Sequence, residues 1–223
     1  MSAILSVFAL AVSGVAAALR RRRRRRLPAR AVIVSPRKST VIQRGGAVRS
    51  VQTAKLTLDA AELERIWNKA NLENLARTYW RFLSRVTLML IRVVYTVDSR
   101  RVVLLARPLT LLRFDPPEYT IQADHGSVRW RIRDGLLVAR AGRRCGFLAL
   151  DVRREPPRAD GYEDLLIEVE VANFYPSIAV GFSMPVYEMT QSVVHVLVTH
   201  AFLRSLAKLD LAPSKVGTLA DQP

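Results

Sequence analysis

Over residues 128–133 apolar and basic side chains alternate without exception: Val128, Trp130 and Ile132 against Arg129, Arg131 and Arg133. Period two marks a strand with one buried face. Looser versions of the pattern predict strands over 48–58, 86–97 and 101–106, the last two joined by a turn at Asp98-Ser99-Arg100. A run over 109–114 stops at Pro116-Pro117, a short strand covers 119–123, and 124–127 reads as a turn. Asp134-Gly135 is a hairpin signal with 136–140 as the returning strand. Two longer strands, 146–153 and 163–174, flank a loop at Pro156-Pro157.

Between the first two strands the period changes to that of a helix. Asp59 stands three residues before Glu62, a capping-box-like pair, and Leu63, Ile66, Trp67 and Ala70 follow at helical spacing. Leu72, Leu75, Ala76, Tyr79, Trp80 and Leu83 continue it. Asn68 and Asn71 interrupt, so the segment reads as two short helices or one kinked helix, with Asn71 placed to cap the second. A long helix closes the chain: Ser183 caps it, Pro185 lies in its first turn, and Arg204 and Lys208 suit its C-terminal dipole near Leu209. At 100° per residue, His200, Arg204 and Lys208 fall on one side, expected to face solvent. Gln191, His195, Val198, Thr199, Phe202 and Leu206 fall on the other.

Strand, helix pair, six or seven antiparallel strands and a long C-terminal helix make an α+β domain. This order resembles the helix-grip fold of the START and polyketide-cyclase-like superfamily, over roughly residues 48–209. The resemblance implies an antiparallel curved sheet gripping the C-terminal helix, with an apolar cavity between them. It also implies a hydrophobic ligand, since members bind lipids, polyketides or similar molecules and some catalyse cyclisation or hydrolysis. Under it, Gln191, His195 and Thr199 become polar groups on an apolar wall that orient one end of a ligand. Tyr187, Trp130 and Phe202 would line the same wall, with Tyr175, Met89, Met184 and Met189 as further lining candidates. His195 is also the candidate general base. The competing readings are that Gln191 and His195 bond to each other or to sheet carbonyls, that the aromatics are ordinary core, and that the architecture is a calycin-like barrel.

Charge divides the chain. Twelve of its 35 basic residues lie in the first fifty positions without a single acid, seven of them as the run Arg20, Arg21, Arg22, Arg23, Arg24, Arg25 and Arg26. The remaining 173 residues carry 23 basic against 19 acidic side chains. The net +16 is therefore mainly the charge of one arm. Residues 1–19 are uncharged and apolar, and as a helix would extend about 28 Å, near the thickness of a bilayer core. The expectation is a transmembrane or anchor helix over 1–19, an arginine-rich flexible linker over 20–47, the α+β domain over 48–210 and a disordered tail over 211–223. The positive-inside rule then makes this a single-pass membrane protein with a cytoplasmic C-terminal domain, its arginines on anionic headgroups. An organelle leader, a secretory signal cleaved near Ala16-Ala17-Ala18, a polyanion-binding arm and a misplaced start codon are the other readings of this segment.

The single cysteine, Cys145, excludes an intramolecular disulfide and a cysteine-based metal cage. No Walker loop, G-x-G-x-x-G, H-E-x-x-H or G-x-S-x-G occurs. No cofactor or metal site is expected, and nothing in the domain interleaves basic and aromatic residues as nucleic-acid platforms do. The function expected is membrane-tethered binding of a hydrophobic small molecule or lipid. The alternatives are an enzyme on the same scaffold using His195, or an arm that binds anionic lipid or nucleic acid.

Overall fold

The computed structural model describes residues 28–34, 40–96, 99–104, 110–177 and 193–211. Ten strands occur among them: β1 (Arg30–Ile33), β2 (Thr40–Ile42), β3 (Val48–Asp59), β4 (Ile91–Thr96), β5 (Ser99–Leu104), β6 (Thr110–Phe114), β7 (Glu118–Ile121), β8 (His125–Asp134), β9 (Phe147–Arg154) and β10 (Tyr162–Phe174). Three α-helices accompany them: α1 (Ala60–Ile66), α2 (Lys69–Val86) and α3 (Val193–Ser205), the last running into a 3-10 turn at Leu206–Lys208. The strands form one antiparallel sheet in the order β1-β3-β10-β9-β8-β6-β5-β4, with β2 on β3 and β7 on β8. This is an antiparallel curved sheet with few helices, consistent with a helix-grip fold.

Alternation decides which face each strand buries. In β3, Val48, Ser50, Gln52, Ala54, Leu56 and Leu58 are buried, while Arg49 and Asp59 are exposed. In β8 the inner positions are Gly126, Val128, Trp130 and Ile132. The arginines between them are not a bare basic stripe: Arg131 pairs with Glu118 at 2.7 Å, Arg133 with Asp115 at 2.6 Å, and the Arg129 guanidinium covers the Phe147 ring. Exposed pairs of this kind contribute little stability, but they leave the outer face electrically mixed.

Register gives the molecule two distinct ends. Asp59 pairs with Tyr162, Leu165 with Arg154, and Arg153 with His125, so these meet where α1 begins. Val48, Phe174, Phe147, Asp134, Thr110, Leu104 and Ile91 lie at the opposite end, reached by the C-terminus of α2. We call these the α1 end and the β4 end.

Several boundaries differ from expectation. The helix expected to yield to a strand at 86 continues through Val86, and the strand starts only at Ile91. Asn68, not Asn71, caps α2: its side chain accepts the Asn71 N–H at 2.9 Å. Residues 136–140 do not return along β8. Leu136 and Leu137 donate to Thr110 and Leu111, so the chain turns onto β6 instead. Gly135 permits this with φ +145°, where a Cβ would meet the Leu111 carbonyl oxygen at 2.2 Å. The segment read as a flexible linker holds β1 and β2, both paired to β3. Its apolar island at Ala31–Val34 is the sheet edge, and Ala29 donates to the Ala207 carbonyl at the end of α3.

Among the described residues no helix is long and apolar enough to cross a membrane. The expected helix over 1–19 and the run Arg20 to Arg26 lie outside them, so nothing described supports a transmembrane helix.

Candidate functional site

Among the described residues, aromatic side chains pack together in the interior where a helix-grip ligand was expected. Trp80 of α2 enters it and meets Trp130 and Phe114 with ring centroids 5.2 and 5.4 Å apart. Tyr79, whose ring also touches that of Trp80 at 5.1 Å, meets Phe202 of α3 edge-on at 5.1 Å, and Phe82 meets the same Phe202 ring at 5.9 Å. Trp130, Phe202 and Thr199 are all buried to 1 % exposure or less. Of the six expected ligand residues these three converge, but as packed core rather than as a cavity wall. Burial pushes the Tyr79 phenol up to about 12, while the Thr199 hydroxyl beside it pulls the other way. The two oxygens lie out of good hydrogen-bond geometry, and Thr199 Oγ1 has no partner among the described residues. His195 lies within α3, and Gln191 and Tyr187 lie outside the described residues. Tyr175 packs on Gly142, whose absent Cβ would sit 2.3 Å from the Tyr175 Cβ.

A cavity of about 70 Å³ opens instead at the α1 end. Its floor is the inner face of the sheet: Leu56, Gly126, Val152, Leu165 and Ile167. α1 and the start of α2 supply Leu63, Ile66, Trp67, Leu72 and Leu75. Leu206, Leu209 and Leu211, beyond the last turn of α3, close one side. The sequence builds this wall in three ways. Alternation points the strand residues inward, helical spacing points Leu63, Ile66, Leu72 and Leu75 toward them, and Gly126 leaves the floor open. A Cβ at Gly126 would make ordinary contact with Leu72 at 3.6 Å.

The wall carries no titratable side chain. Its two amides are spent on capping. Asn68 Oδ1 accepts the Asn71 N–H, and Asn71 Nδ2 donates to the Ile66 carbonyl at 3.0 Å. The mouth is polar: Trp67 Nε1 donates to the Gln122 carbonyl, and Arg154 lies over the Trp67 ring while pairing with Glu64 and Glu163. The Glu64 carboxylate, with Glu163 adding to it against some burial, raises the Arg154 pKa above its ordinary value. An apolar pocket with a charged rim suits a molecule that inserts a hydrocarbon end and keeps its polar end at the mouth.

Three polar arrangements escaped the sequence reading. His200, expected in solvent, turns to the sheet and meets Gln52 Oε1 at 2.6 Å. Gln52 reaches Ser50, and Ser50 reaches Thr40 of β2, so β2 completes a buried polar chain. Burial first, then Arg204, lowers the His200 pKa. On the outer face His125 Nε2 stands 3.0 Å from Asp151 Oδ1. On the inner face Arg77 and Arg100 both stack on Tyr95, at 4.8 and 5.0 Å. Each depends on at least one contact between residues well apart in sequence, His200 with Gln52, His125 with Asp151 and Arg77 with Tyr95, which no local spacing announces. Among the described residues no cluster of three or more His, Cys, Asp or Glu could hold a metal.

No family model matches this chain, and no curated protein matches it. Solved structures do align. Norcoclaurine synthase from Thalictrum flavum is 13 % identical over 77 % of this chain and 98 % of its own, with a TM-score of 0.33. Human STARD10 is 9 % identical over 86 % of this chain and 77 % of its own, with a TM-score of 0.31. A Deinococcus radiodurans protein, DR_A0006, is 13 % identical over 73 % of this chain and all of its own, again at 0.31. Likeness at this level carries no argument about the present chain, whose architecture rests on its own strand order and packing.

Proposed function

We propose that this protein binds a hydrophobic small molecule or lipid by inserting a hydrocarbon end into the cavity at the α1 end. The observation that carries the reading is the wall itself: aliphatic carbon, the Trp67 ring and two amides already used as caps. Such a wall favours binding over acid–base catalysis, because nothing on it can take or give a proton. A space of about 70 Å³ takes part of a molecule, not a whole drug-sized one, which requires several hundred Å³.

An anionic membrane is the partner we propose for the arginine run. Ala29 is bonded to Ala207 beside Leu206, so the described chain begins at the cavity end. Arg26 is two residues before Pro28, within about 7 Å of chain. A membrane held there would lie near the cavity mouth.

The test is native mass spectrometry and organic extraction of the full chain, compared with Leu72→Trp, which fills the cavity from α2. A co-purifying apolar molecule on the native chain, reduced at least tenfold on the variant, is the expected result. Equal loading of both chains places the ligand elsewhere.

A further inference from the structure

The β4 end carries a second feature, independent of the cavity. Leu88, Met89 and Leu136 are 62, 51 and 57 % exposed, among the few large apolar side chains that are. All three lie at this end, because α2 terminates there and the 135–138 turn stacks onto the start of β6. Arg85, Arg92, Arg140, Arg143 and Arg144 are exposed in the same segments. None of the five forms an ion pair among the described residues. Residues 84–92 contain no acid, and the acid in 134–146, Asp134, pairs with Arg113. Arg144 donates its N–H to the Arg133 carbonyl near the end of β8, three strand spacings or about 14 Å from β4, and the segment holding Arg140 and Arg143 continues this rim toward Tyr175, just beyond β10.

Leu88 and Met89 are displayed in a costly way. Both have positive φ, 51° and 65°, at a helix C-terminus where glycine or asparagine is the ordinary residue. Yet the turn is fully bonded. The N–H groups of Thr87, Leu88, Met89 and Leu90 donate to Leu83, Arg85, Ser84 and Thr87 carbonyls, and that of Ile91 donates to Thr87 Oγ1. Thr87, 1 % exposed, ties its hydroxyl back to Leu83. A turn whose donors are already satisfied can leave water without stranding them, the condition for entering a lipid interface. Two bulky apolar side chains on a strained turn, amid arginines that form no ion pair among the described residues, match the chemistry of an anionic bilayer surface: hydrocarbon below, phosphates above.

We propose that the rim formed by Leu88, Met89 and Leu136 with Arg85, Arg92, Arg140, Arg143 and Arg144 docks on an anionic lipid surface. Cys145, exposed beside Arg144 and the chain's single cysteine, reports on the rim, since Arg30, at the start of β1, lies at the opposite end of the sheet. The full chain is labelled at Cys145 with an environment-sensitive dye and titrated with vesicles of phosphatidylcholine and phosphatidylserine at about three to one. The expected result is a blue shift that weakens with salt and in phosphatidylcholine alone. Arg143→Gln with Arg144→Gln should weaken the affinity read at the dye by roughly 30-fold. Leu88→Asn with Met89→Asn should abolish the shift while the melting temperature holds or rises, because asparagine tolerates positive φ. A dye that stays in water on chains that do sediment with vesicles overturns the proposal and leaves the rim to an acidic protein partner. So does a double Asn variant with an unchanged shift, or a chain that binds no vesicle.

Discussion

His200 shows how one contact changes the reading of a residue. At 100° per residue it belongs with Arg204 and Lys208, but α3 lies against β3 closely enough for its ring to reach the buried Gln52. Burial and Arg204 both disfavour its charged form, so the folded pKa lies below the unfolded value near 6.5. The unfolded chain then binds the proton more readily. Stability from neutral His200 is present above about pH 6.5 and is lost as pH falls through its lowered folded value. Melting temperatures measured between neutral pH and pH 5 should fall more for the native chain than for His200→Gln; parallel curves would count against the burial of this ring. Asp164 acts in a separate, more acidic window. Its burial alone would raise the carboxyl, but the Thr57 hydroxyl, Lys55 and Arg158 outweigh burial and hold it low. Its contribution is present above the ordinary aspartate range and is lost as pH falls further.

At the scale of elements, the α1–α2 junction decides whether the cavity exists. Two caps place the helices: Asp59 accepts from the Ala61 N–H at 2.9 Å, and Asn68 accepts from the Asn71 N–H. Asn71 instead closes the gap by donating to Ile66. Its candidacy as the cap was reasonable, since both asparagines precede apolar periodicity; the backbone of Asn68, at φ −153° and ψ 165°, is the extended one. Asn68→Ala should therefore lower unfolding stability by about 1 kcal/mol in denaturant titration and weaken retention of any apolar ligand. A cost confined to Asn71→Ala would contradict this assignment. The strands of the half-buried face were legible because alternation is local. The end of α2 was not: residues 86–97 are rich in β-branched and aromatic side chains, yet the helix continues to Val86, which is buried beside the equally buried Thr87.

Over the whole molecule, the register places Arg30, at the start of β1, and the apolar rim at opposite ends of a sheet whose longest strand, β10, has 13 residues, or about 40 Å. One flat bilayer cannot meet two ends that face away from each other. If each engages anionic lipid, the full chain should cluster phosphatidylserine-containing vesicles, read as turbidity. Replacing Arg20 to Arg26 with glutamine, or Leu88 and Met89 with asparagine, should remove the turbidity and leave co-sedimentation through the remaining end. Clustering that survives both replacements would assign it to another surface.

By itself the sequence determined the approximate order of the main elements from β3 onward, the buried face of the strictly alternating strand β8, the concentration of charge in one arm and the absence of short catalytic motifs. These follow from periodicity, capping chemistry and composition, which act over a few residues. Only the tertiary structure decided that Trp130, Thr199 and Phe202 pack solidly with Tyr79 and Trp80, and that open space lies instead beneath Trp67 and Gly126. It also decided that β1 and β2 extend the sheet into the supposed linker, that His200 faces Gln52, and that exposed leucine, methionine and arginine gather at one end. Cavities, cross-strand pairs and surface patches depend on volumes and distances between residues far apart in the chain. Those quantities exist only once the sheet has closed its register and the helices have been laid across it.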